Sequence, residues 1–239
     1  MTPLHFSVSA YAAWAPGVET AEAWLAWLKG NVKIQGEHEP SLKAMPSALR
    51  RRTNMPGKMA LEVAYHCDAE AIPTIFCSRH GECHRSIALL NELTNSIPLS
   101  PTNFSLSVHN APAGLYAMAR GDTSNNLALA AGDSTIEHAI IEACGLLADG
   151  ASAVLVVAYD CPPPALFNTF QASTEQAYAW AWRITAPTHQ SISLTLTPNT
   201  SMHETTETAG LAIWRFFLNN TLALDRYSNG QHWHWRHHA

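Results

Sequence analysis

Apolar positions along this chain switch repeatedly between a strand period of two and a helix period of about 3.6. Phe6-Ser7-Val8-Ser9-Ala10-Tyr11-Ala12-Ala13-Trp14 alternates and is rich in aromatics, which predicts a first strand stopped by Pro16-Gly17. Thr20 is placed to cap a helix on which Trp24, Trp27 and Leu28 recur at helical spacing. Residues 31–57 read as loop, punctuated by Pro40, Pro46 and Pro56, before an apolar helix from Lys58 to His66. Ile72-Pro73-Thr74-Ile75-Phe76-Cys77-Ser78 reads as a short buried strand, and Gly81 to Leu93 as an amphipathic helix ending before Pro98-Leu99-Ser100-Pro101.

The pattern from Pro101 to Asp160 is the most ordered. A loop, Ser107-Val108-His109-Asn110-Ala111-Pro112-Ala113-Gly114, precedes a strand-like run from Asn126 to Gly132. An apolar helix then extends to Gly150, followed by the strand-like Ala153-Val154-Leu155-Val156-Val157-Ala158-Tyr159-Asp160. Cys161-Pro162-Pro163-Pro164 is a rigid stop. Tyr178–Ile184 and Ser191–Thr197 alternate as paired antiparallel strands would, with Pro187-Thr188-His189 as their hairpin loop, and Ala209 to Asn219 is helix-like. One α/β unit over residues 1–239 is expected, with its core at about 6–219 and a C-terminal tail at 220–239. The end of that tail, His232-Trp233-His234-Trp235-Arg236-His237-His238, is by default a disordered terminus; an adventitious metal ligand and an aromatic clasp on a partner are the alternatives.

Composition narrows the function classes. Apolar residues make up 47% of the chain and charged residues only 14%, so either the core is large or a partner covers apolar surface. The formal charge of −5 and the lack of any basic stripe beyond Arg50-Arg51-Arg52 argue against nucleic-acid binding. That triplet is either a solvated helix end or a docking spot for an acidic carrier protein. Five cysteines at irregular spacing do not form a disulfide framework. With no signal-like opening and no apolar run of about 18 residues, a cytoplasmic protein without a membrane span is expected. Cys77, His80, Cys83 and His84 are close in sequence, but zinc spacings are tighter and come in paired halves, so no metal or other cofactor is expected.

Several pieces, in order, carry a family resemblance: Ala13-Trp14-Ala15-Pro16-Gly17, Ser78-Arg79-His80-Gly81-Glu82, the Ser100 to Gly114 segment with Ser107-Val108-His109-Asn110, and the strand–helix–strand from Leu127 to Asp160. Together they resemble the N-terminal half of a β-ketoacyl synthase, and especially the short homologues associated with aryl polyene synthesis, which are similar to chain-length factors. The resemblance implies an α/β, thiolase-like layered fold, truncated to essentially the N-terminal half around a mixed five-stranded sheet. In that family the strand before the long helix ends in Ala-Cys, and the cysteine carries the acyl chain; the matching pair here is Ala131-Gly132. A thiol at a helix N-terminus is activated by unpaired N–H groups and the helix dipole. Glycine keeps the turn and removes the nucleophile.

The resemblance further implies a noncatalytic subunit that pairs with a full-length ketosynthase as a heterodimer and meets acyl carrier protein through it. Leu127, Ala128, Leu129 and Ala130 would form the strand at the interface, and Cys83, Ile87 and Leu90 the apolar stripe lining the partner's tunnel. The second thiolase half, with its two histidines, does not follow in this sequence. Two alternatives stay open: a stand-alone acyl transferase or hydrolase using Ser134 or a cysteine, and an acyl-carrier or acyl-chain binding module. Asp133-Ser134-Thr135 also fits an N-capping segment, and His109 reads as a structural hydrogen-bonder.

Overall fold

A computed structural model describes residues 2–67, 71–170, 175–198 and 207–238. In chain order the elements are β1 (Leu4–Trp14), α1 (Ala21–Leu28), α2 (Ser47–Arg50), α3 (Met55–Cys67), β2 (Thr74–Cys77), α4 (Cys83–Thr94), α5 (Pro101–Ser105), α6 (Ala111–Arg120), β3 (Asn126–Leu129), α7 (Thr135–Ala148), β4 (Val154–Asp160), β5 (Tyr178–Thr185), β6 (Ser191–Pro198), α8 (Ala209–Leu218), β7 (Ala223–Ser228) and β8 (Gln231–His238). Among the described residues no helix is long and apolar enough to cross a membrane.

The strands form one mixed sheet of eight, in the order β3-β2-β4-β5-β1-β6-β8-β7, rather than the five expected. β2 pairs in parallel with β3 and β4, and the remaining pairs are antiparallel. β4 shows why the centre is so apolar. Val154, Val156 and Ala158 enter one core while Leu155, Val157 and Tyr159 enter the other, so every side chain before Asp160 is buried. On the first face α1, α7 and α8 pack with Trp180, Trp182 and Ile184 of β5; on the second, α3 and α6 pack against Ala179 and Ala181. Three layers result, with large β5 side chains on one face and small ones on the other.

Two sequence expectations need correction. Tyr178–Ile184 and Ser191–Thr197 are not a hairpin: β5 runs antiparallel to Ser7–Trp14 of β1, and β6 to Leu4–Phe6 of the same strand. Their alternation was read correctly, but alternation does not name a partner. The disordered end is also overturned, because β7 and β8 form a hairpin that adds the last two strands to the sheet. Trp233 and Trp235 are fully buried there. Smaller shifts occur at helix starts. The segment Ala111–Gly114, read as loop, is the first turn of α6, and α3 begins at Met55; each helix tolerates a proline in its first turn, where the missing N–H has no intrahelical partner.

Candidate functional site

β3 leads into the turn on which the sequence focused attention. Gly132 has φ of +59°, a left-handed conformation that glycine adopts freely, and a short 3-10 turn, Gly132–Ser134, passes the chain into α7. Thr135 ties the turn together: its Oγ1 accepts the Ala131 N–H at 2.9 Å and donates to the Gly132 carbonyl at 2.7 Å. The β7–β8 hairpin reaches the same place. Ser134 is fully buried; its hydroxyl bonds Ser228 Oγ at 2.5 Å and accepts the Trp233 Nε1–H at 3.0 Å. His138, the nearest imidazole on α7, turns its Nδ1 to the Ser134 carbonyl at 2.9 Å rather than to the hydroxyl. A Cβ on Gly132 would lie 3.7 Å from Asn229 Nδ2 in the hairpin turn.

Below this turn lies a polar cluster that the sequence reading did not find. Arg79 Nη1 meets Asp133 Oδ1 at 2.5 Å and Glu175 Oε1 at 3.5 Å, while His80 Nε2 meets Glu175 Oε2 at 2.7 Å. Asp160, at the end of β4, accepts the Ser78 hydroxyl at 2.7 Å and the backbone N–H groups of Arg79 and His80 at 3.1 and 3.0 Å. Burial pushes the Asp160 carboxyl up against the pull of those donors. Burial pulls the His80 imidazole down, but the Glu175 bond and the Asp160 and Glu175 charges outweigh it and leave it raised. On the α7 side, Arg226 of β7 pairs with the buried Glu137 and donates to the Asp133 carbonyl at 3.2 Å. The void enclosed by these groups measures only about 40 Å³, about one water and far too small for an acyl chain. Ser78-Arg79-His80 was visible as a family-like piece; its partners Asp133, Asp160 and Glu175 come from three other segments, which local spacing does not reveal.

Burial works against thiolate formation at four of the cysteines. Burial raises Cys83, pushes Cys144 up to about 11, and, with the nearby carboxylates Asp160 and Glu82, brings Cys161 to about 12; Cys77 is raised further still. Cys77, His80, Cys83 and His84 do not gather as a metal site: His80 is held by Glu175, and His84 Nε2 lies 2.8 Å from the Pro162 carbonyl. His109 donates its Nε2–H to the Ser78 carbonyl at 2.9 Å and packs so tightly on Gly81 that an added Cβ would come within 2.6 Å of its ring. It is a structural hydrogen-bonder, as expected. Of the basic triplet, Arg50 Nη1 donates to the Leu42 carbonyl at 3.3 Å and Arg51 and Arg52 are exposed.

The remaining site candidates lie on α4 and β3. α4 buries only Leu89. Cys83 and Ile87 are half-buried, Leu90 is 53% exposed, and Leu93 and Ile97 continue the apolar surface beyond them. β3 is an end strand that pairs with β2 alone. The Asn125 and Leu129 carbonyls accept from Thr74 and Ser78 of the β2 segment, so alternate residues 125, 127 and 129 point their N–H and C=O groups inward. Asn126 and Ala128 therefore present theirs outward. Ala130 lies just past the strand and is exposed.

Comparison with known proteins places these features in a family. No curated protein matches the chain. A structure of the ketosynthase ApeO in complex with its chain length factor ApeC, from Xenorhabdus doucetiae, is similar over 98% of this chain and 99% of the matched one, with a TM-score of 0.84 at 21% identity. The ishigamide ketosynthase/chain length factor follows at a TM-score of 0.64 and 15% identity, over 84% of this chain and 68% of that one. A β-ketoacyl synthase from Burkholderia phymatum STM815 also gives 0.64, at 12% identity, over 90% and 69%. At these identities the likeness is one of fold, the thiolase-like layered arrangement of helices on a mixed sheet. The model of the β-ketoacyl synthase N-terminal domain matches residues 24–236, nearly the whole chain from α1 to β8, and the chain belongs to that family.

Proposed function

We propose that this chain is a noncatalytic, chain-length-factor-like subunit that pairs with a full-length ketosynthase and shapes the tunnel in which its acyl or polyene chain grows. The observation that carries the reading is Gly132 at the strand–helix turn where the family places its acyl-carrying cysteine. Among the described residues, the candidate replacements near the turn are held in other roles. Ser134 is buried and bonded to Ser228 and Trp233, and burial disfavours the thiolate of each cysteine described above. A stand-alone transferase or hydrolase using Ser134 lacks both access and a base.

Two surface features support the pairing. The outward N–H and C=O groups of Asn126 and Ala128 offer a sheet edge without charge, and Leu90, Leu93, Ile97, Phe104, Val108 and Met118 are exposed on α4, α5, α6 and their connections. The strand Leu127–Ala130 would extend the sheet into the ketosynthase, and Cys83, Ile87 and Leu90 would face its chain. Acyl carrier protein would reach the pair through the ketosynthase, in a cytoplasmic assembly making aryl polyenes or related chains. Co-expression with the ketosynthase of the same pathway tests this. A stable heterodimer is expected that condenses malonyl units only when both chains are present. An acyl adduct on the isolated chain, lost in Ser134→Ala, would overturn the noncatalytic reading.

A further inference from the structure

The β7–β8 hairpin carries a group of side chains that neither the Gly132 turn nor the β3 edge uses. Period-two alternation sends Trp233 and Trp235 into the core and His232 and His234 to the opposite face. Antiparallel register sets Asp225 of β7 directly opposite His234, one diagonal from His232. The Asp225 Oδ1 lies 2.6 Å from His232 Nε2 and also bonds His234 Nδ1, so one carboxylate oxygen is shared by two imidazoles. The three ligand atoms all fall within 4.8 Å of one another, the only such cluster of three or more among the described residues.

We propose that Asp225, His232 and His234 form a binding site for one divalent transition-metal ion, with Zn²⁺ the best-fitting common ion. Two imidazole nitrogens and a carboxylate oxygen are a donor set that suits zinc, and bond lengths of about 2.0–2.2 Å place neighbouring ligand atoms about 3.3 Å apart in a tetrahedron. The two imidazole–carboxylate contacts would open to reach that spacing, and the third separation, between the imidazole nitrogens, already lies within 4.8 Å; Asp225 is exposed, so water can reach the fourth position. The surroundings are prepared for it. Thr197 Oγ1, opposite on β6, lies 3.4 Å from His232 Nδ1 and helps hold that ring with Nε2 toward Asp225, while the Tyr227 ring stacks on it at 4.5 Å.

Proton bookkeeping identifies a competitor. Without metal, Asp225 accepts from His232 Nε2–H and His234 Nδ1–H, leaving His234 Nε2 to accept the Arg236 Nε–H at 2.6 Å. A metal on His234 Nδ1 moves the proton to Nε2, and the two donors then face each other. Arg236 is exposed and would have to swing away, so its guanidinium opposes metal entry both by charge and by this exchange. A bound ion would crosslink β7 to β8 and hold the hairpin against the Gly132 turn.

The test is titration of the full chain with Zn²⁺ alone against a chromophoric chelator at pH 7.5, with the melting temperature followed in parallel. One equivalent is expected. Asp225→Asn, His232→Ala and His234→Ala should each weaken binding by about tenfold or more and remove the zinc-dependent rise in melting temperature. His66→Ala, an exposed imidazole on α3, should bind as the wild type does. Arg236→Gln should bind at least as tightly. Far-ultraviolet circular dichroism of the apo variants separates lost ligands from lost fold, and the isosteric Asp225→Asn leaves the hairpin intact. Zinc that survives all three ligand variants, or no zinc bound by the folded wild type, would overturn the site. Loss of binding in Arg236→Gln equal to that in His234→Ala would overturn it as well.

Discussion

The two ends of the sheet are finished in opposite ways. At one end β3 is four residues, Asn126–Leu129, without charge, and among the described residues no strand lies beside its outward backbone groups. At the other, β7 carries Asp225 and Arg226; Arg226 turns inward to the buried Glu137, and Asp225 holds two imidazoles. Charged residues and covering contacts keep an edge strand from pairing with other chains, and a bare apolar edge invites pairing. The closed edge thus serves the chain's own stability, and under the proposed function the open edge is the one offered to the ketosynthase. The hairpin at the closed edge also contacts the Gly132 turn, which immediately follows the open-edge strand, so the two are linked through α7's first turn.

The largest effect should come from opening the closed edge. Trp235 is fully buried, edge-on to Phe6 and Trp182 at centroid distances of 6.5 Å. Trp235→Ala should destabilise the chain by about 3–5 kcal/mol, read from urea unfolding, since a cavity of that size is not closed by relaxation. A change below about 1 kcal/mol would mean that the hairpin is not part of the cooperative core.

Blunting the open edge should do the converse. Ala128→Pro removes an outward donor while leaving the inward bonds of residues 127 and 129 in place, so the isolated chain should keep its melting temperature but lose its complex with the ketosynthase. Leu129→Pro, whose N–H points toward β2, should damage the chain itself. Equal effects of the two prolines on the monomer would break the distinction between inward and outward residues.

Smaller effects sharpen the picture around the open edge. Overfilling a packed apolar site costs about 1–3 kcal/mol, so Cys83→Trp on α4 should shorten the products of the reconstituted pair, while Ile87→Ala lengthens them or broadens their distribution. Mass profiles of released chains decide it; unchanged lengths with the complex intact would remove α4 from the tunnel. Gly132→Cys has room for its Cβ but forces φ near +59° on a non-glycine residue, a strain of about 1–3 kcal/mol. No condensation should appear in that variant alone, by radiolabelled malonyl incorporation.

The smallest effect is one of pH. Because the folded His80 holds its proton more tightly than the unfolded chain does, the stability it adds is fully present below about pH 6.5 and is lost as pH rises through its raised folded value. Urea midpoints should fall between pH 6 and 8.5, less so in His80→Gln. An unchanged slope in that variant would place the pH dependence elsewhere.

The same contrast explains what the sequence revealed. β4 was legible because both faces of a central strand are apolar over seven residues, and Thr20 because its hydroxyl caps α1 by accepting the Ala23 N–H at 3.2 Å. The β7–β8 hairpin carries its own signal in the sequence. Asn229-Gly230, both at positive φ, is the two-residue turn that a hairpin favours, and His232-Trp233-His234-Trp235 alternates with period two. The pairing of β5 and β6 with β1 was not legible, since those contacts span most of the chain. Nor was the Arg79–Asp133–Glu175 cluster, whose members are each unremarkable locally. Gly132 was legible because a glycine stands where the family resemblance puts a cysteine; the bonding of Ser134 to Ser228 and Trp233 required the fold.

Residue-resolved hydrogen exchange of β3, alone and with the ketosynthase, tests the proposed pairing most directly. In the isolated chain the outward amides of Asn126 and Ala128 should exchange fast and those of Leu127 and Leu129, held by β2, slowly. In the heterodimer the Ala128 amide should become protected while the inward amides change little. A heterodimer that forms with Ala128 still exchanging freely, or a chain that ignores the ketosynthase altogether, would contradict the account.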